Sequence, residues 1–214
     1  MLKHTILKRI HDAGMVAIVR ADTADAALAL AEACIAGGVT ALEVAFTTPG
    51  TLEVITSLRR RHGNDVLIGA GTVLDEQTAR LAILAGAQFI ISPGIDLATI
   101  RVCHRYQIPV LPGAMTPTEI IAALEAGADI IKIFPAEAFG PAYVKALLAP
   151  LPQAPLMPTG GVTLDNLAEW FKQGSVAVGI GGSLSAPARA GNYAAVTANA
   201  REFVRRMAEI RMVA

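Results

Sequence analysis

The stretch Asp129-Ile130-Ile131-Lys132-Ile133-Phe134-Pro135 reads as a buried β-strand with one lysine at its centre. Its β-branched and aromatic residues fit a pleated, buried surface. Apolar on both faces, it suits a parallel sheet covered by helices. Alternation puts Ile131 and Ile133 on one face and Ile130, Lys132 and Phe134 on the other. A lysine in such a place is costly unless its ammonium finds a partner or gives up its proton. Desolvation favours the neutral amine, the form that attacks a carbonyl carbon. The alternative is a lysine that snorkels from a strand end to water. The strand alone leaves both readings open.

The pattern of a strand followed by a helix repeats along the chain. Strands are predicted over 15–20, 41–46, 66–71, 89–92, 110–112, the lysine strand, 156–159 and 177–180. Helices are predicted over about 23–36, 49–62, 75–85, 96–106, 117–126, 141–148, 164–172 and 193–210, with a short opening helix ending near Gly14. Eight such units without a linker predict one domain over residues 1–214. The expected fold is α/β, a closed (β/α)8 TIM barrel with an extra N-terminal helix. An open doubly wound sheet is the alternative, but no early strand carries a Gly-x-Gly-x-x-Gly turn. Helix starts account for several threonines. Thr116-Pro117-Thr118-Glu119 fits a capping box, and Thr48-Pro49 and Thr163 read as further caps.

Composition narrows the function classes. With 53% hydrophobic and 17% charged residues in 214, the chain holds enough apolar material for a large core. Lys+Arg and Asp+Glu both number 18, so the basic face that nucleic acid requires is not expected. A mean hydropathy of +0.50 is high for a monomer and points to a subunit interface. Cys34 and Cys103 fall in helical patterns far apart and read as packed free thiols. The first ten residues are broken by charges and lack a signal-peptide core, and no uncharged apolar run is long enough to span a bilayer. A cytoplasmic protein without a membrane partner is expected.

In such barrels chemistry sits where strands lead into helices. The polar residues there are Arg20, Glu43, Thr72, Ser92-Pro93-Gly94, Lys132, Thr159-Gly160-Gly161 and Gly181-Gly182-Ser183. Glu43 shares a face with Ala41 and Ala45, whose small side chains leave room, and its strand lies across the ring from that of Lys132. Glu43 is either an acid–base group or half of an inert ion pair with Lys132 or Arg20. Arg20 either contacts a ligand or pairs with Asp22. The glycines after strands seven and eight offer unobstructed N–H groups, Ser183 adds a hydroxyl, and residues 184–186 are expected to form a short helix, the usual parts of a phosphate site. His4, His11, His62 and His104 have no metal-ligand spacing, so neither metal nor cofactor is expected. That favours an imine mechanism over a zinc-dependent one.

Taken together these motifs resemble the class I 2-keto-3-deoxy-6-phosphogluconate (KDPG) and 4-hydroxy-2-oxoglutarate (KHG) aldolases, a family that also acts on the galactonate epimer. The resemblance spans essentially the whole chain. It rests on Leu42-Glu43-Val44, Gly69-Ala70-Gly71-Thr72-Val73, Ile91-Ser92-Pro93-Gly94, Lys132-Ile133-Phe134-Pro135-Ala136-Glu137, Pro158-Thr159-Gly160-Gly161 and Gly179-Ile180-Gly181-Gly182-Ser183. It implies that Lys132 forms a Schiff base with the keto carbon and that Glu43 moves protons. It implies further that Thr72 and Thr159 contact carboxylate and hydroxyls, Phe134 packs on the pyruvyl part, Pro93 shapes the wall, and Gly160, Gly161, Gly181, Gly182 and Ser183 hold the distal phosphate. A homotrimer acting on a phosphorylated keto acid and pyruvate is implied as well. Where many members carry a carboxylate-binding arginine, this chain has Thr47, and Arg20 is the candidate replacement. Two rivals stand beside this reading: a non-imine isomerase or decarboxylase on a phosphate-binding barrel, and a phosphometabolite-binding barrel without activity.

Overall fold

The computed structural model of the chain describes residues 2–213. An opening helix α1 (Leu2–Ala13) leads into β1 (Met15–Val19), and α2 (Ala24–Ala36) follows. Next come β2 (Ala41–Ala45), α3 (Thr51–His62), β3 (Leu67–Gly71), α4 (Glu76–Leu84), β4 (Ile90–Ile91), α5 (Leu97–Arg105) and β5 (Val110–Leu111). The second half contains β6 (Gly113–Ala114), α6 (Pro117–Glu125), β7 (Ile131–Ile133), α7 (Pro141–Leu148), β8 (Leu156–Pro158), α8 (Leu167–Lys172) and β9 (Val178–Ile180). Two helices complete it, α9 (Gly182–Ser185) and α10 (Tyr193–Val213).

All strand pairs are parallel, but they do not form the closed eight-stranded barrel expected from the sequence. The hydrogen bonds make a six-stranded sheet, β5-β4-β3-β2-β1-β9, and a separate three-stranded one, β6-β7-β8. Prolines mark both breaks. The predicted fifth strand divides at Pro112, which has no N–H to donate: β5 pairs with β4, and β6 pairs with β7. Its carbonyl still serves, accepting from Lys132 N at 2.9 Å. At the other break β8 ends in Pro158, and its contact with the β9 strand falls to one bridge, Thr159 to Gly179, beside a 3.0 Å bond from Val176 N to Leu156 O. The architecture is an α/β barrel distorted into two arcs.

The strands divide their residues between two apolar cores. Leu42, Val44, Ile131 and Ile133 point outward into the layer shared with the helices. Val16, Ala41, Leu67, Phe89, Leu111, Ile130, Met157 and Ala177 point inward, and Ile6 and Ile10 of α1 pack on them. The opening helix therefore stoppers the N-terminal end of the barrel. Lys3 fixes it there through a 2.8 Å ion pair with Asp129, and Arg9 donates to the carbonyls of Asn64 and Asp65.

The capping box of α6 forms: Thr116 Oγ1 accepts from Glu119 N at 3.3 Å and Glu119 accepts from Thr116 N at 2.8 Å. Thr48 is not a cap. Gly50 takes that position, and Thr48 Oγ1 accepts from Ala21 N at 3.2 Å, tying the turn after β2 to the loop beyond Arg20. Thr163 Oγ1 accepts from Asn166 N at 3.4 Å, one turn before α8 begins.

Candidate active site

Two residues beyond the inward apolar layer, the same strands change character. β2 carries Glu43 two positions after Ala41, and β7 carries Lys132 two positions after Ile130. Both are buried, at 2% and 5% relative exposure. Lys132 Nζ lies 3.9 Å from Glu43 Oε1, an ion-pair separation longer than a good hydrogen bond. Among the described residues, Glu43 Oε2 has no hydrogen-bond partner. Burial pushes the Glu43 carboxyl above the usual carboxylate range, against the pull of Lys132 and Arg20. A carboxyl so placed exchanges protons nearer neutrality, and its free oxygen is available to do so.

Glycine makes the room. A Cβ on Gly71 would fall 2.6 Å from the Glu43 carboxyl carbon, and one on Gly179 would fall 2.3 Å from Thr159 Oγ1. Thr159 is itself 3% exposed, and its hydroxyl has no hydrogen-bond partner among the described residues. Buried polar atoms normally find hydrogen bonds, so these two inward-facing atoms, on β2 and just after β8, are suited to receive polar groups of a ligand. Phe134 forms one wall: Lys132 Nζ stands 4.9 Å from its ring centroid, and the ring is 37% exposed toward the opening.

Arg20 and Thr72 meet at the ends of β1 and β3, where Arg20 Nη2 donates to Thr72 Oγ1 at 3.4 Å. Thr72 has φ 57°, a left-handed conformation that a β-branched residue adopts at a cost of order 1–3 kcal/mol. Such strain gathers at ligand sites. Pro93 is half-buried, and the Pro93 carbonyl presses on Gly113, where a Cβ would lie 2.1 Å from its oxygen. Thr47 is exposed in the turn after β2; like Glu43, Thr72, Pro93 and Lys132, it is not among the residues that line the large cavity beside Phe134.

From Phe134 and Thr159 a cavity of about 940 Å³ opens past both glycine turns. Gly160, Gly161, Gly181, Gly182 and Ser183 all line it. Among the described residues, the N–H groups of Gly160, Gly161, Gly182 and Ser183 donate no backbone hydrogen bond, the last two being first donors of α9. The short helix starts at Gly182 instead of residue 184, so the glycine turn is part of it. The Ser183 hydroxyl is already engaged, donating to Val162 O at 2.6 Å. Ile18, Asp22, Arg189 and Tyr193 also line this cavity and were not anticipated. Arg189 gave no signal, being a lone arginine in an alanine- and proline-rich segment. The room-making glycines inside strands were legible as Gly-x-Gly alternation in Gly69-Ala70-Gly71 and Gly179-Ile180-Gly181.

The model of the family described as KDPG and KHG aldolase matches residues 6–199. A 2-dehydro-3-deoxy-phosphogluconate aldolase of Treponema pallidum is 39% identical over 198 residues, covering 91% of this chain and 93% of the relative. A 2-dehydro-3-deoxy-6-phosphogalactonate aldolase of Escherichia coli is 42% identical over 171 residues, 79% of this chain and 83% of the relative. Among solved structures, the KDPG aldolase of Legionella pneumophila with pyruvate captured as a covalent carbinolamine superposes with a TM-score of 0.83 at 30% identity, over 91% of this chain and 96% of that one. With a buried amine and carboxyl at the strand ends and this likeness over nearly its full length, the chain belongs to the KDPG and KHG aldolase family and is a carbon–carbon lyase.

Proposed function

We propose that the protein is a Schiff-base aldolase that cleaves KDPG to pyruvate and glyceraldehyde 3-phosphate, and 4-hydroxy-2-oxoglutarate to pyruvate and glyoxylate. The observation that carries this reading is the buried Lys132–Glu43 pair, 3.9 Å apart, beside a cavity lined by two glycine turns. The Lys132 amine attacks C2 of the keto acid, and loss of water from the carbinolamine leaves a protonated imine. Glu43 carries protons in that dehydration. It then takes the C4 hydroxyl proton as the C3–C4 bond breaks. The bonding electrons pass into the imine, the aldehyde leaves, and an enamine remains. Glu43 returns its proton to C3, and hydrolysis of the imine releases pyruvate.

Arg20 and Thr72 hold the substrate carboxylate, with Arg20 in the role that Thr47 cannot fill. Thr159 accepts or donates to a substrate hydroxyl, Phe134 packs on the pyruvyl carbons, Pro93 closes the wall, and the glycine turns with the Ser183 N–H receive the distal phosphate. The 42% identity to a phosphogalactonate aldolase supports the C4 epimer as a second substrate. Exposed Leu74, Leu81, Leu84, Ile121 and Phe139, with the high mean hydropathy, support a homotrimer of one-domain subunits. No helix among the described residues is long and apolar enough to cross a membrane, and two buried free thiols suit the reducing cytoplasm.

Pyruvate release from the three keto acids tests the assignment. The expected result is the highest kcat/KM for a phosphorylated substrate, with Arg20→Ala raising KM about tenfold and leaving imine formation intact. Equal or absent turnover of all three by the wild type contradicts the substrate reading, and an unchanged KM in the variant contradicts the role of Arg20.

A further inference from the structure

The cavity presents two cationic side chains, Arg20 and Arg189. They belong to opposite ends. Arg20 bonds Thr72, and its charge acts on Glu43, so it stands at the Lys132 end. Arg189 lies on the short helix Ala186–Ala190, which follows α9 and the second glycine turn directly. It is exposed and, among the described residues, has no hydrogen bond or ion pair within the chain.

The first glycine turn carries a complication. The Glu137 carboxylate lies against it: a Cβ on Gly160 would come within 1.7 Å of Glu137 Oε2, and one on Gly161 within 2.7 Å of Glu137 Cβ. Glu137 does not line the cavity, whereas Asp22 does. A phosphate dianion seated by the glycine N–H groups therefore shares the cavity with one carboxylate, Asp22, and has a second, Glu137, packed against the turn that holds it. Backbone dipoles alone are a weak answer to that repulsion, and a full positive charge nearby reverses its sign.

We infer that Arg189 is the side chain that selects a phosphorylated substrate, pairing with the distal phosphate from the α9 side of the cavity. The assignment rests on the aldolase reading above and adds to it a cation absent from the sequence motifs. A fork of guanidinium donors matches two phosphate oxygens, and an exposed arginine swings in without rebuilding the core.

The test is steady-state turnover of KDPG and of the same keto acid lacking its phosphate, by wild type, Arg189→Gln and Arg189→Lys, with inorganic phosphate as competitive inhibitor. The expected result for Arg189→Gln is a KM for KDPG raised about tenfold, kcat nearly unchanged, weaker inhibition by phosphate, and no change for the unphosphorylated keto acid. Arg189→Lys recovers most of the loss. Equal losses on both substrates, or none on either, overturn the assignment while leaving the aldolase reading in place. A wild-type enzyme that releases pyruvate from neither keto acid overturns that reading, and this one with it.

Discussion

The two ends of the distorted barrel use the same strands for opposite purposes. At the N-terminal end Ala41, Leu67, Ile130 and Met157 face inward under Ile6 and Ile10, and the interior is closed and apolar. Two residues further along, the inward positions hold Glu43, Lys132 and Thr159 with glycines at their sides, and polar atoms are left without partners. Among the described residues the N-terminal end carries two unpartnered buried atoms of its own, Ser175 Oγ and Arg211 Nε, but they stand outside its inward apolar layer. The other end leaves a buried carboxyl and hydroxyl waiting, which is tolerable only because the sealed end and the helix layer supply the stability. Function is concentrated where the local rules of packing are broken.

Substitutions at the two ends should therefore separate activity from stability. The largest effect belongs to the open end. Glu43→Gln keeps shape and volume but cannot take a proton, and kcat should fall about 10²–10⁴-fold with little change in the unfolding midpoint. Its pH dependence gives the sign. Because burial raises the Glu43 carboxyl, its proton leaves at higher pH than from an ordinary glutamate near about 4.3. Wild-type cleavage, which needs the carboxylate, should then fall as pH drops through that raised value, and the variant's residual rate should lack this limb. A limb at the ordinary glutamate position would contradict the role of burial.

A smaller and opposite effect is expected at the sealed end. Ile10→Ala removes a fully buried side chain of the stopper helix and should lower unfolding free energy by about 2–5 kcal/mol in urea titration. The kcat of the folded fraction should be unchanged. A loss of kcat without loss of stability would mean that the two ends are coupled, and the comparison would fail.

Much of this division could be read from the chain. Period-two alternation put Lys132 on the face of Ile130 and Glu43 on the face of Ala41, and both side chains do face inward. Closure was misjudged because it depends on hydrogen-bond register between segments distant in sequence. Pro112 and Pro158 were visible, but the gaps they open in the ladder were not inferred. Thr48 was misread for a related reason. Its Thr-Pro context matches a helix cap, whereas its actual partner, Ala21 N, comes from another loop. The contact of Glu137 with the glycine turn and the place of Arg189 were not inferred, because nothing in their local sequence says which loops they meet.

The most direct test of the account is intact mass after incubation with pyruvate and borohydride, for wild type and Lys132→Ala. The account predicts a stable pyruvyl adduct on the wild type, mapped to Lys132, and none on the variant. No adduct on either protein, or one mapped to a different lysine, would contradict imine chemistry at Lys132.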